Sequence, residues 1–281
     1  MSSFIGAGIG FRKPHRAALL EGAAFERPSM LEIIPSHFFA DPPAIDALAH
    51  AYPLVFHEVG LSIGTAPGAS DDVTRALLGR VRALAARAKP ILVSDHLAMT
   101  RSPAGIDLGH LCPLLPVRET LDLVAGRVSA FQDLLATPIA LENIALPFEL
   151  PGDFTEAELF TELVSRTGCG MLLDLTNLVL NAKNFGFDPA VRLQAYPLEA
   201  VWQVHLAGGL KVGDFWVDTH SAPVGKTELE LLCQLRRRAG ALRAIVIERD
   251  EAIPPLPELV AEARRADQQW RSAEGVTWPS T

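Results

Sequence analysis

Residues 139–174 read IALENIALPFELPGDFTEAELFTELVSRTGCGMLLD, and this stretch decides the fold. It opens on one aliphatic run, Ile139-Ala140-Leu141-Glu142, and closes on another, Met171-Leu172-Leu173-Asp174. Between them, Thr155-Glu156-Ala157-Glu158 has capping-box spacing. There a threonine oxygen accepts from a backbone N–H of the new helix while the glutamate reaches back to the cap. Gly168 stands where that helix should stop, because glycine takes the left-handed conformation of a helix end without strain. Two wholly apolar strands joined by a helix make a βαβ unit, with parallel strands buried on both faces.

The same alternation repeats outward in both directions. Apolar runs at 5–11, 30–34, 54–57, 92–96, 139–142, 171–174, 201–205 and 245–248 are expected strands. Helical patterns fall at 16–23, 45–51, 72–88, 117–135, 156–166, 189–194, 227–239 and 256–271, with Gly240 as the expected stop of the seventh. A further short strand is expected at 216–219, inside the seventh loop. Eight such units favour a closed barrel over an open sheet, and 281 residues suit one barrel of about 250. The expected fold is therefore a single α/β domain over residues 1–281, a (β/α)8 TIM barrel with its core at about 4–270. Segments 98–116 and 208–224 are longer than ordinary βα loops, as lids or substrate walls are, and the tail after Trp270 is expected to be peripheral. Gly6-Ala7-Gly8-Ile9-Gly10 lacks the GxGxxG spacing of a dinucleotide site and reads as a crowded first strand.

Bulk properties narrow the function classes. A formal charge of −8 argues against a broad nucleic-acid surface, and no apolar run is long enough to span a membrane. The N-terminus lacks a signal-peptide pattern. Cys112, Cys169 and Cys233 are too far apart for a CxxC pair or a disulfide framework, which fits a reducing cytoplasmic setting.

The chemistry sits at the ends of the apolar runs. Those ends carry His57, His96, Glu142, Asp174, His205 and Glu248, and the extra strand carries Asp218 and His220. Strand ends on one face are where an α/β barrel does its chemistry. Asp218 and His220, two apart in an extended segment, share one face, and Asn177 follows Asp174 on the turn leaving its strand. Of Asp95 and His96, alternation turns one inward, and His96 is the better ligand. Bland readings exist for each residue. Glu142 and Glu248 could pair with Arg12 or Arg249, and Asp174 could merely cap a helix. Together the bland readings fail, because burying so many ionisable groups is costly without metals or paired charges. Imidazoles and carboxylates without thiolate suit two or three first-row ions such as Fe, Mn, Zn or Co. His57, His96, Glu142, Asp174 and His205 are the expected catalytic residues, with Asp95, Asn143 and Arg249 behind them. His37 is placed to reach the pocket, His15 and His50 read as surface or loop residues, and His110 lies in the long fourth loop.

An ordered set of motifs also carries a family resemblance. It comprises Gly8-Ile9-Gly10-Phe11-Arg12 with Pro14-His15, His57 followed by Gly60-Leu61-Ser62, Ser94-Asp95-His96-Leu97, and Leu141-Glu142-Asn143. It continues through Leu172-Leu173-Asp174 with Asn177, Asn184-Phe185-Gly186-Phe187-Asp188, His205-Leu206-Ala207-Gly208, Asp218-Thr219-His220, and Glu248-Arg249-Asp250. From Gly6 to about Ala266 the chain resembles the multinuclear non-heme iron-dependent oxidative enzymes, which include the large subunit that makes oxazolone and thioamide groups in methanobactin. The resemblance implies a barrel holding two or three irons in mixed Fe2+/Fe3+ valence. Molecular oxygen would be the cosubstrate, and a ribosomally made precursor peptide would be modified, often at cysteine or a C-terminal residue. It implies as ligands His57, His96, Glu142, Asp174, Asn177, His205, Asp218, His220 and Glu248, and it implies a small partner protein that grips the leader peptide. The chain departs from the family at Ser36-His37, at Leu97-Ala98-Met99-Thr100, at Ser221, and in Pro113-Leu114-Leu115-Pro116-Val117, which lacks a usual tyrosine. The ligand positions are all present, so the departures fall on the walls that would face substrate. Read from the residues alone, the same ligands admit a zinc or manganese hydrolase or isomerase, and a third reading is a non-catalytic peptide-binding barrel.

Overall fold

How closely the first two strands approach is set by one glycine. In the computed structural model, which describes residues 4–21 and 27–273, a Cβ on Gly8 would lie 2.2 Å from the carbonyl oxygen of Met30. No side chain fits there, so the glycine-rich β1 (Gly6–Gly10) can lie against the start of β2 (Leu31–Ile33). Around them β3 (Leu54–His57), β4 (Val93–His96), β7 (Ile139–Glu142), β8 (Gly170–Asp174), β9 (Val201–Leu206) and β12 (Ala244–Ile247) complete a closed barrel. Its strand order is β1-β12-β9-β8-β7-β4-β3-β2, all pairs are parallel, and sequence neighbours are spatial neighbours. The expected TIM barrel is the observed fold.

Two antiparallel hairpins account for the long loops. The first pairs β5 (Met99–Arg101) with β6 (Asp107–Cys112), and the second pairs β10 (Gly208–Val212) with β11 (Phe215–Ala222). Ser62, held at φ +54°, anchors the first hairpin by accepting from the backbone N–H groups of Thr100 and Arg101, each at 2.8 Å.

The outer layer contains α1 (Arg16–Glu21), α2 (Asp46–Ala51), α3 (Ser70–Ala88), α4 (Arg118–Leu135) and α5 (Glu156–Thr167). It continues with α6 (Leu175–Phe185), α7 (Pro189–Leu193), α8 (Lys226–Leu235) and α9 (Leu256–Ser272). The end of the expected 16–23 helix and the tail beyond 273 lie outside the described residues. The capping box forms, with Thr155 Oγ1 accepting from Glu158 N at 3.2 Å, and Gly168 closes α5 at φ +67°.

Two helix expectations need correction. Gly240 stops nothing, because α8 ends at Leu235 and the chain tightens into turns in which Arg238 N and Ala239 N both donate to Leu235 O. Helix α6 has no counterpart among the expected helices. Its first eight residues are all buried, so it lacks the polar face from which a helical period is read.

Candidate metal centre

Strand register sets the chemistry side by side in two couples. His96 on β4 stands beside Glu142 on β7, and Asp174 on β8 stands beside His205 on β9. Side chains alternate along a strand, so residues two positions below share the inward face. Below His57 and Glu248 are Val55 and Val246, which join Met30, Leu92 and Ala244 in a separate apolar cluster. Those five side chains are almost fully buried.

Glu142 is the hub. Its Oε2 lies 3.3 Å from both His57 Nε2 and His96 Nε2, while its Oε1 lies 3.1 Å from His205 Nδ1. His57, His96 and Glu142 therefore offer one convergent donor set, and Glu142, Asp174, His205 and Glu248 offer another that shares the same carboxylate. Glu248 Oε2 continues the chain, 3.1 Å from His205 Nδ1 and 3.3 Å from His220 Nδ1. His220 Nε2 lies 2.9 Å from Asp218 Oδ1 and 3.6 Å from Asp174 Oδ2.

Several of these atoms are buried yet have no hydrogen-bond partner: Glu142 Oε2, Asp174 Oδ2, Asn177 Oδ1, Asp218 Oδ1 and His220 Nε2. Buried lone pairs without partners are rare in folded proteins, and here Asp174 Oδ2 and Asp218 Oδ1 both face His220 Nε2. Such a set suits cations shared between carboxylates. In β11 the pairs Leu210–Val217 and Val212–Phe215 present exposed apolar side chains on one face, and Asp218 and His220 leave the strand on the other. His220 is held at φ +45°, a strained conformation of the kind that collects at functional sites.

The supporting residues act in distinct ways. Asn143 brackets the Asp174 backbone, accepting from its N–H and donating to its carbonyl, both at 2.9 Å. Asp174 Oδ1 caps α6 by accepting from Asn177 N at 2.8 Å while Oδ2 faces His220, so capping and ligand geometry coexist in one carboxylate. Ser94 Oγ sits 3.0 Å from His57 Nδ1, leaving Nε2 for the centre. Asp95 lies behind His96, with 3.5 Å between Oδ1 and Nδ1. Arg249 is turned away toward Glu262 at 2.7 Å, and Arg12 pairs with Asp250. Both arginines proposed as partners for Glu142 and Glu248 are thus engaged elsewhere. His37 is exposed beside the charges of Arg12 and Lys13, outside the ring. His15, expected as a surface or loop residue, lies in the 3-10 turn following β1 but is buried there, with Nε2 3.0 Å from the Pro254 carbonyl.

Three participants escaped the sequence reading. Glu32, in the middle of β2, approaches His205 Nε2 at 2.8 Å, and Gln203 joins both groups. Asp250 Oδ2 holds His220 Nδ1 at 2.8 Å. A charge between Leu31 and Ile33 in an apolar strand was the available signal for Glu32.

Before any metal binds, protons balance this site. Burial opposes charge on His96, but Glu142 and Asp95 outweigh it and hold the imidazole at about 9. Burial likewise opposes charge on His205 and His220, yet the surrounding carboxylates raise both well above the ordinary range. Burial lowers His57 well below it, with neighbouring imidazoles adding to the effect. Metal ligands must shed their protons, so cations would replace this proton inventory.

A cavity of about 610 Å³ opens among the loops that leave β4 and β7 and the helices α6 and α7. Leu97, Ile144, Leu146, Leu178, Phe185 and Phe187 supply apolar wall, and Glu156, bonded to the Tyr196 hydroxyl, is a half-buried acid there. Burial pushes Glu156 up to about 7.

The family model described as RiPP precursor modification enzyme MbnB/TglH/ChrH matches residues 6–271. A UPF0276 protein of Caulobacter vibrioides is 36% identical over 277 residues, covering 96% of each chain. One of Chromobacterium violaceum is 38% identical over 265 residues, covering 92% of each. Among solved structures, a xylose isomerase domain protein from Alicyclobacillus acidocaldarius aligns with TM-score 0.63 at 14% identity, covering 96% of this chain and 99% of that one. Endonuclease IV from Thermus thermophilus aligns with TM-score 0.57 at 20% identity, covering 94% and 99%. At such identities the structural likeness speaks for the barrel alone.

Proposed function

The chain belongs to the MbnB/TglH/ChrH family of RiPP precursor modification enzymes, and on that premise we propose that it modifies a ribosomally made precursor peptide oxidatively, using two or three iron ions and molecular oxygen. The ligands would be His57, His96, Glu142, Asp174, Asn177, His205, Asp218, His220 and Glu248. The observation that carries this reading is Glu142, whose two oxygens face two different donor sets as a bridging carboxylate's would. Bound iron would supply the redox capacity that side chains lack.

The chain's own residues do the positioning. Ser94 and Asp250 hold the outer nitrogens of His57 and His220, fixing ring orientation. Asn143 locks the Asp174 backbone. The cavity among the outer loops offers apolar wall to a peptide segment. A small leader-binding partner protein would present the peptide.

The donor set contains only nitrogen and oxygen and would also accept zinc or manganese, as a hydrolase or isomerase would require. The test is anaerobic purification, elemental analysis, and mass spectrometry of a precursor peptide co-expressed from a neighbouring gene, with and without oxygen. Iron-dependent, oxygen-dependent mass change is expected. Full turnover with zinc alone in the absence of oxygen overturns the oxidative reading.

A further inference from the structure

Glu32 is a buried acid outside the proposed ligand set, and it converges with His57 and His205. It is 3% exposed in the middle of β2, between Leu31 and Ile33, both fully buried. Its strand register pairs it with Val55, two residues before His57, on one side and with Gly10 on the other. Its Oε2 meets His205 Nε2 at 2.8 Å and also accepts from the Gln203 amide. The opposite nitrogen of the same ring, Nδ1, is 3.1 Å from both Glu142 Oε1 and Glu248 Oε2. One side of His205 thus looks into the donor cluster, and the other faces Glu32.

We propose that Glu32 is a positioning residue: it accepts the Nε2–H of His205 and so commits Nδ1, lone pair outward, to the metal centre. A neutral imidazole carries its proton on one nitrogen only, and a carboxylate at one nitrogen settles which. The same contact fixes the ring plane and raises the basicity of the donating nitrogen. Gln203 donates its amide N–H to Glu32 from the strand that bears His205; the same amide nitrogen lies 2.8 Å from His205 Nε2, and with the proton on Nε2 that contact joins two donors, so the amide's hydrogen bond goes to Glu32. This arrangement repeats what Asp250 does for His220. The inference rests on the metal-centre reading and is independent of whether the chemistry is oxidative.

The test uses the full chain, stripped of metal, and cobalt(II) as a spectroscopic probe. Wild type, Glu32→Gln and Glu32→Ala are titrated, with Glu156→Gln in the outer cavity as control. Unfolding of each metal-free chain is recorded alongside. Glu32→Ala is expected to weaken cobalt binding about 10–100-fold and to shift its visible bands. Glu32→Gln, whose amide oxygen can still accept from Nε2, is expected to fall between Glu32→Ala and wild type. Glu156→Gln should match wild type. Unchanged affinity and spectrum in both Glu32 variants overturns the proposal. So does loss of one whole cobalt equivalent with the remainder unaltered, which would make Glu32 a ligand. A wild-type chain that binds no cobalt fails at the metal centre instead and removes the basis of both readings.

Discussion

Replacing Glu142 should empty two metal positions, because its oxygens serve different donor sets. Oε2 faces His57 and His96 at 3.3 Å, and Oε1 faces His205 at 3.1 Å. Loss of a group that only orients a ligand lowers metal affinity about 10–100-fold. A shared charged donor removes at least that much from each position, so Glu142→Ala should cost about 3–6 kcal/mol in total, at about 1.4 kcal/mol per tenfold. Stability of the metal-free chain should move the other way. Burial raises the Glu142 pKa above its ordinary 4.5. A carboxyl whose folded pKa is raised favours folding below the unfolded pKa, and that contribution is lost as pH rises through the folded value. At pH 8 metal-free Glu142→Gln should therefore be at least as stable as its parent. The assay is anaerobic iron(II) titration with elemental analysis, beside thermal unfolding of the stripped chains. His96→Ala, whose ring approaches only Oε2, should affect one position. Full iron content in Glu142→Ala refutes the shared-carboxylate argument, and so does a loss no larger than that in His96→Ala.

Other consequences follow from the same contacts. Asp250→Ala should weaken metal binding about tenfold by releasing His220 Nδ1, with little change in metal-free melting, since Asp250 is half exposed; isothermal titration checks the first and thermal unfolding the second. Glu156, raised by burial from 4.5 to about 7, should make the parent lose stability between those pH values and stay destabilised above them. Partial exposure trims the effect to about 2 kcal/mol, so Glu156→Gln should melt several degrees above the parent at pH 8 and show little gain at pH 4.5. Thr155→Ala removes the cap of α5 and should cost about 1 kcal/mol, read as a fall of about 2–4 °C in melting temperature with metal content unchanged.

Much of the molecule could be read from order along the chain. Strands such as Ile139–Glu142 are apolar up to their last residue because both faces are buried, and the capping box at Thr155 and the glycine at 168 are local signals, complete within a few residues. The ends of the runs named the residues that converge, because a closed barrel brings every strand end to one rim. Helix α6 could not be read this way. It is enclosed by the rest of the fold, and its burial erases the periodicity a surface helix shows. What each ligand does was decided only in three dimensions. Glu142 and Glu248 look alike as strand endings, yet register and barrel closure set Glu142 between His57, His96 and His205, and Glu248 between His205 and His220. Arg12 and Arg249, plausible partners by sequence, are held by Asp250 and Glu262. Glu32 and Asp250 were hidden for the same reason. Their roles exist only across the barrel, between residues 173 and 30 positions apart, where sequence spacing carries no information about distance.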